Sequence, residues 1–293
     1  MVAAHGLGPC GAILGGSSPL PGTFTAIILT MEIKLIKSEK STASVEVLAS
    51  AKEVAAEETH TLAHMAEETT IKGFRKGKAP LNVVKNSLDP EKLKQRTVIH
   101  LLGHAIDQAV KDLNLKVIAN PRLTKEDTSQ ADWVFSLEFP LYPEFTLGEY
   151  PAKIKAAYTK AKPDNDDKKL KAAFDTLLDT VKMDIPQALI DEEVNRSLSR
   201  LVSQTESLNL SVPDYLKSIK KTPEQLREDY QKTATESLKL DFLIFAIAKD
   251  LKLTVTEDEI KSFQSAAQVK DADRPYLESV LLKRKAVDSL LKL

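Results

Sequence analysis

Hydrophobic and polar positions divide the chain into two halves with different periodicity. In the first half, apolar residues alternate with polar ones over residues 32–37, 42–48 and 133–141, which predicts three strands. A fourth strand is predicted at residues 152–157. The helices predicted in this half cover residues 49–70, 80–87 and 90–113. Helices packed against a small, mostly antiparallel sheet make this half an α+β domain, residues 31–158.

The second half has only helical spacing of apolar residues. Residues 159–168 are polar and charged and contain a proline, which predicts a linker. Beyond it, the predicted helices cover residues 169–181, 186–208, 213–219, 223–251, 256–268 and 273–291. The predicted fold class is therefore α+β, with a small α+β domain followed by an all-α domain, residues 169–293.

Residues 1–30 differ in composition from the rest of the chain. They contain no Lys, Arg, Asp or Glu, and they hold six of the ten glycines. A secretory signal needs a basic start, and the apolar run 24–29 is too short to span a bilayer. We predict that translation starts at Met31, so that deleting residues 1–30 changes nothing. A disordered functional tail is the alternative.

Composition narrows the class of protein. The 293 residues carry a formal net charge of −1, which argues against a protein coated in basic charge for nucleic acid. Cys10 is the single cysteine, so the chain has no internal disulfide framework and no zinc site built from cysteines. A reducing compartment fits this usage.

One segment departs from the balanced charge of the chain. Residues 69–88 contain five Lys or Arg residues and no acid, and their centre reads GFRKGKAP, from Gly73 to Pro80. An exposed Phe74 beside these cations would suit a partner that offers both phosphates and a protein pocket. The alternative is a solvated charge run whose Phe74 packs into its own core.

These eight residues resemble the ribosome-binding signature of trigger factor, the bacterial chaperone that meets nascent chains at the tunnel exit. The segment Phe135–Phe145 is similar to the family's closing strand of the N-terminal domain, and Met183–Glu193 is similar to the start of its long helical arms. The resemblance covers residues 31–293. It implies an N-terminal ribosome-binding domain and a C-terminal helical chaperone domain with long arms, in the cytoplasm.

The resemblance also implies specific sites and partners. The partners are a large-subunit protein and ribosomal RNA near the tunnel exit, nascent or unfolded polypeptides, and a second copy when the protein is free. No membrane partner is implied. The implied ribosome-binding residues are Gly73, Phe74, Arg75, Lys76, Gly77 and Lys78.

The helical half would present a concave, partly apolar surface that holds unfolded segments without nucleotide, and the sequence has no Walker-type loop. The candidate client-binding residues are Leu238, Phe242, Phe245 and Leu281. Core packing of the same residues is the alternative, and it is the one that apolar stripes usually adopt.

Family members usually carry an FKBP-like prolyl isomerase domain between these two parts. Here only about a dozen polar residues separate the predicted strand near Ala157 from the next helix. The sequence therefore predicts a form that lacks this domain, with no catalytic residue and no cofactor. The rival hypotheses are an RNA-binding module without chaperone activity and a residual peptidyl-prolyl isomerase.

Four histidines form two i,i+4 pairs on predicted helices, His60 with His64 and His100 with His104. This spacing can chelate zinc, and Glu57 or Glu68 could join the first pair. The HExxH motif is absent because Thr61 stands at its glutamate position. We predict no metal ion and an ordinary helix surface, with a zinc site as the alternative.

Overall fold

A computed structural model describes residues 30–267 and 274–293. The prediction about the N-terminal extension therefore lies outside the described residues, except for Thr30. The chain divides into two compact units between Tyr142 and Pro143. The first unit is α+β and the second is all-α, which confirms the predicted fold class.

The first unit contains one four-stranded antiparallel sheet in the order β1-β2-β4-β3. Its elements are β1 (Glu32–Glu39), β2 (Thr42–Ala49), α1 (Ala51–Glu68), α2 (Leu81–Ser87), α3 (Pro90–Asp112), β3 (Arg122–Asp127) and β4 (Trp133–Pro140). Lys40 and Ser41 join β1 to β2 with positive φ angles of 48° and 56°, the conformation of a tight hairpin turn.

The core of this unit lies between the sheet and α3. Alternate residues of β2 and β4 are buried, and Val45 pairs with Leu137 and Val47 with Phe135 across the two strands. Apolar residues of α3 cover this face, with Leu101 fully buried. The period-2 pattern of β4 and the helical stripe of α3 thus meet as the sequence predicts.

A second cluster of apolar residues joins the three helices of this unit. Its buried members are Leu62, Met65, Ala66, Val84 and Leu93. They hold the end of α1, the short helix α2 and the start of α3 together. This cluster therefore fixes the end of α1 and the start of α2, which are the two ends of the connection between these helices.

The second unit consists of helices only. They are α4 (Tyr150–Ala161), α5 (Asp166–Thr180), α6 (Gln187–Ser207), α7 (Val212–Ile219), α8 (Pro223–Asp250), α9 (Glu257–Ala267) and α10 (Arg274–Leu291). The Tyr158 hydroxyl donates to the Leu290 carbonyl at 3.0 Å, which ties α4 to α10. In residues 30–267 and 274–293, no helix combines the length and the apolar composition that a membrane span requires.

Two predictions differ from the structure near these elements, and one strand was not predicted. The strand predicted at residues 152–157 is wrong, because these residues lie in α4. The linker predicted at 159–168 includes the end of α4 and the start of α5, which leaves residues 162–165 between the helices. Strand β3 was not predicted, because its sequence RLTKED is polar and its side chains are mostly exposed.

Candidate functional site

The basic loop, residues 69–80, connects the end of α1 to the start of α2. Two successive turns shape it: Phe74 N donates to Ile71 O at 3.0 Å, and Lys78 N donates to Arg75 O at 2.9 Å. Gly73 and Gly77 have φ angles of +92° and +75°, which side chains other than glycine rarely adopt. The two glycines therefore allow the chain to reverse direction twice within a few residues.

Both ends of the basic loop are anchored to the helices. Ile71 and Ala79 are partly buried against the cluster that joins α1, α2 and α3. Gly77 lies close to the last turn of α1, where an added Cβ would stand 3.6 Å from the Cα of Glu67. The residues between these anchors are held away from the core.

The side chains at the centre of the loop point to solvent. Phe74 is 41% exposed, so the alternative in which its ring packs into the core is not what the fold adopts. Arg75, Lys76 and Lys78 are exposed as well, and they form no ion pair with another described residue. Lys85 is different, since its Nζ lies 2.8 Å from Glu58 Oε1. The loop thus presents an aromatic ring among unpaired cations.

A second candidate surface lies where α6, α7 and α8 meet. Partial burial raises the pKa of the Tyr230 hydroxyl on α8, Tyr215 of α7 raises it further, and Arg200 of α6 opposes the increase. Tyr230 is therefore within electrostatic range of both Tyr215 and Arg200. The Thr222 side chain caps the start of α8 by accepting from Gln225 N at 3.3 Å.

Several apolar side chains at this junction are exposed to solvent or only half-buried. Leu208, which follows α6, is 74% exposed, and Val202 is exposed on α6 itself. Helix α7 has no buried residue. Its half-buried apolar face consists of Val212, Tyr215, Leu216 and Ile219. We call Val202, Leu208 and this face the α7 patch.

The four residues that the sequence offered as client-binding candidates lie elsewhere. Leu238, Phe242 and Leu281 are buried inside the helical unit. Phe245 is half-buried, and Lys283 Nζ lies 5.0 Å from the centre of its ring. These positions fit the core alternative. The α7 patch was missed because exposure at a helix junction depends on how neighbouring helices pack.

The two histidine pairs lie on facing helices, α1 and α3, around one carboxylate. Glu57 is buried, and its Oε1 lies 3.0 Å from His60 Nδ1 and 3.1 Å from His100 Nδ1. His64 Nε2 is 3.2 Å from His60 Nε2, and His104 Nε2 is 3.8 Å from Glu57 Oε2. The sequence indicated the two pairs but not that they share Glu57.

Comparison with known families gives two matches that together span residues 31–292. The family described as bacterial trigger factor protein matches residues 31–177, and the family described as bacterial trigger factor protein C-terminus matches residues 146–292. The two matches overlap. No separate domain therefore lies between them in this chain.

Individual proteins give the same result. The trigger factor of Syntrophomonas wolfei is 33% identical over 120 residues, which is 41% of this chain and 27% of that protein. The trigger factor of Fusobacterium nucleatum is 26% identical over 189 residues, 64% of this chain and 43% of that protein. The matched region thus spans about a quarter to two fifths of the length of these relatives.

A solved structure has the same fold. It is described as "Promiscuous Substrate Recognition in Folding and Assembly Activities of the Trigger Factor Chaperone". The TM-score is 0.63 at 16% identity, and the match covers 89% of this chain and 99% of that chain. At this identity the likeness concerns the fold.

Proposed function

This chain belongs to the trigger factor family, as its loop sequence predicted, and we propose that it is a ribosome-associated chaperone. The basic loop docks the protein beside the nascent-chain exit of a cytoplasmic ribosome. The helical unit holds unfolded segments by apolar contacts and releases them when they bury their own surface. No nucleotide takes part in this cycle.

The exposed ring of Phe74 is the observation that carries the docking half of the proposal. Full burial of a phenylalanine side chain contributes about 1.5–3 kcal/mol. In this fold part of that contribution is left unused, because Phe74 is 41% exposed although the second apolar cluster lies next to the loop. A pocket on a ribosomal protein would supply the missing burial, and an aromatic anchor of this kind is typical of binding hot spots.

The cations beside Phe74 support a partner that also carries phosphate. Arg75 can donate two parallel hydrogen bonds to phosphate oxygens, while Lys76 and Lys78 act as compact charges. Because these three side chains form no ion pair with a described residue, binding RNA breaks no internal pair. The surface of a ribosome, where protein and RNA adjoin, offers both kinds of contact.

The α7 patch supports the holding half of the proposal. Apolar side chains that stay exposed in a monomer commonly mark sites of interaction. Many weak contacts with such a surface would delay the collapse of an unfolded segment and would not require a particular sequence. The patch lies on α6 and α7, and α6 contains part of the segment Met183–Glu193 that resembles the start of the family's helical arms.

Co-sedimentation with ribosomes tests the docking half. We compare the intact chain with the triple variant Phe74→Ala, Arg75→Ala, Lys76→Ala and with Phe74→Ala alone, at low and at moderate salt. We expect the intact chain to pellet with ribosomes and the triple variant to stay in solution. Phe74→Ala alone weakens binding at both salt concentrations, because burial of a ring is little affected by ionic screening.

A charge-matched control separates docking from general attraction to RNA. Lys111→Ala with Lys125→Ala also removes two positive charges from exposed positions of the same unit. We expect this variant to bind like the intact chain. If the two multiple variants lose binding equally, with a steep dependence on salt, attraction is nonspecific and the docking proposal fails. It also fails if the intact chain does not pellet.

A further inference from the structure

Glu57 is a buried carboxylate whose hydrogen-bond and ion-pair partners among the described residues are histidine side chains. Its side chain is 4% exposed, whereas those of His60, His100 and His104 are 40%, 32% and 53% exposed. A buried carboxylate is costly unless polar groups satisfy it. Among the described residues, His60 and His100 do so from two different helices, so the cluster spans the α1–α3 interface.

The ligand atoms of this cluster are closely spaced. One atom each of Glu57, His60 and His100 lies within 4.8 Å of the others. In a tetrahedral zinc site with bonds of about 2.0–2.1 Å, the ligand atoms stand roughly 3.3–3.5 Å from one another. The observed 3.0 and 3.1 Å separations between the carboxylate and the two imidazoles need only a small outward shift to admit an ion.

From this geometry we propose that Glu57, His60 and His100 bind a divalent transition-metal ion of the Zn²⁺ type. The ion takes the place of the hydrogens that the two Nδ1 atoms share with the carboxylate. Each hydrogen moves to Nε2 of its own ring, so both imidazoles bind the metal as neutral ligands. His104, whose Nε2 lies 3.8 Å from the second carboxylate oxygen, or a water completes the coordination.

His64 has a separate role in this site. Its Nε2 lies 3.2 Å from Nε2 of His60. In the metal-bound tautomer, Nε2 of His60 carries the hydrogen and donates a hydrogen bond to Nε2 of His64. Nδ1 of His60 is then free to bind the ion. Metal-binding histidines usually have such an orienting partner on their other nitrogen. His64 is thus a positioning residue rather than a ligand.

The ligand set determines which ions bind. Two imidazoles and one carboxylate suit Zn²⁺, Ni²⁺ or Cu²⁺, while Mg²⁺ prefers oxygen ligands and binds poorly to nitrogen. The ligands sit on two packed helices, so little order is lost on binding. The partly exposed imidazoles let an ion enter from solvent. This inference does not rest on the proposed function of the chain.

Calorimetric titration of the untagged, chelator-treated full chain with ZnCl₂ tests the site. We expect one ion per chain and no heat of binding with MgCl₂. Glu57→Gln and His100→Ala each weaken zinc binding by more than about 100-fold, and His64→Ala weakens it by about 10- to 100-fold, the range for orienting partners. Added zinc also raises the thermal midpoint of the intact chain.

The control is Glu58→Gln, which removes a neighbouring carboxylate of α1 that pairs with Lys85 of α2 instead of with a histidine. It should bind zinc like the intact chain. Circular dichroism checks that each variant is folded, and His100→Ala serves if the buried Glu57→Gln is not. The proposal is wrong if the intact chain binds no zinc, if Mg²⁺ binds equally well, or if His100→Ala leaves zinc affinity unchanged, since a pair on α1 alone would then hold the ion.

Discussion

Gly77 gives the basic loop a backbone conformation that other residues adopt only at a cost. Its φ angle is +75°, and an added Cβ would meet Glu67 at an ordinary contact distance of 3.6 Å. The cost of Gly77→Ala is therefore conformational, about 1 kcal/mol of unfolding free energy. We expect urea unfolding to show this loss and ribosome pelleting to weaken, because Phe74 and Arg75 are displaced.

Gly103 offers a matched control for this substitution. It lies in the middle of α3 with a helical backbone and with nothing within 4 Å of an added Cβ. Gly103→Ala should stabilise the unit by about 0.5–1 kcal/mol, because alanine loses less backbone freedom on entering a helix. The two substitutions should thus change stability in opposite directions. If both substitutions lowered the unfolding free energy by the same amount, the positive φ angle of Gly77 would not be the cause of its effect.

Single residues of the candidate sites were predictable to different degrees. The two glycines and the cations of the basic loop are visible in the sequence, and so is Phe74. Whether Phe74 is exposed was not, because that depends on Ile71 and Ala79 filling the space beside the helices. The position of Glu57 between both histidine pairs was equally hidden, since it depends on how α1 and α3 align.

Among the helices and strands, most segments were predicted at nearly the observed bounds, including the short helices α2 and α7, and the exceptions are β3 and α4. Helix α8 begins at Pro223, directly after its N-cap Thr222, and carries a capping box, and its observed start matches the prediction. Strand β3 is held mainly by backbone pairing with β4, so its side chains carry little pattern. In α4 the alternation around Ile154 suggested a strand. The four-residue spacing of Tyr150, Ile154 and Tyr158 was the signal for a helix.

The exposed Leu208 between α6 and α7 allows a test of client binding by the α7 patch. We expect Leu208→Ser to weaken the suppression of aggregation of a denatured client by a factor on the order of five, because a leucine contributes about 1.5–3 kcal/mol when fully buried and a client covers part of it. The folding stability of the unit should change little, since Leu208 is 74% exposed. The measurement is light scattering during dilution of the client from denaturant.

Leu251→Ser is the control for this prediction. Leu251 is also exposed, and it follows the other end of α8, about 40 Å along the helix from the junction with α7. This variant should suppress aggregation like the intact chain. If Leu251→Ser is as harmful as Leu208→Ser, clients bind exposed apolar residues without preference, and the α7 patch is not a specific site.

At the scale of the whole molecule, each unit has a core of its own. The first unit buries the β2, β4 and α3 residues between its sheet and helix, and the second buries Leu177, Leu243 and Ile247 among its helices. Their described residues number about 110 and 145, which is the size of ordinary independent domains. In the proposed function, docking and holding therefore belong to different units of the chain.

Because the two units have separate cores, we can predict how their covalent connection contributes to the protection of nascent chains. We expect residues 30–142 and 143–293, made as separate chains, each to unfold cooperatively. The first should bind ribosomes and the second should suppress aggregation of a free client as well as the intact chain does. Mixed together, the two pieces should protect a nascent chain on the ribosome only at much higher concentration, because the connection raises the local concentration of the helical unit at the exit.

Comparing the mixture with the intact chain shows whether ribosome docking delivers the helical unit to its clients or whether this unit finds clients by itself. Concentration series of both, added to ribosomes that display an aggregation-prone nascent chain, give the concentration of half-maximal protection for each. A shift of at least about tenfold in favour of the intact chain means that docking delivers the helical unit to its clients. Equal values would mean that the helical unit finds clients by itself, so that ribosome binding by the first unit would not be the source of chaperone activity.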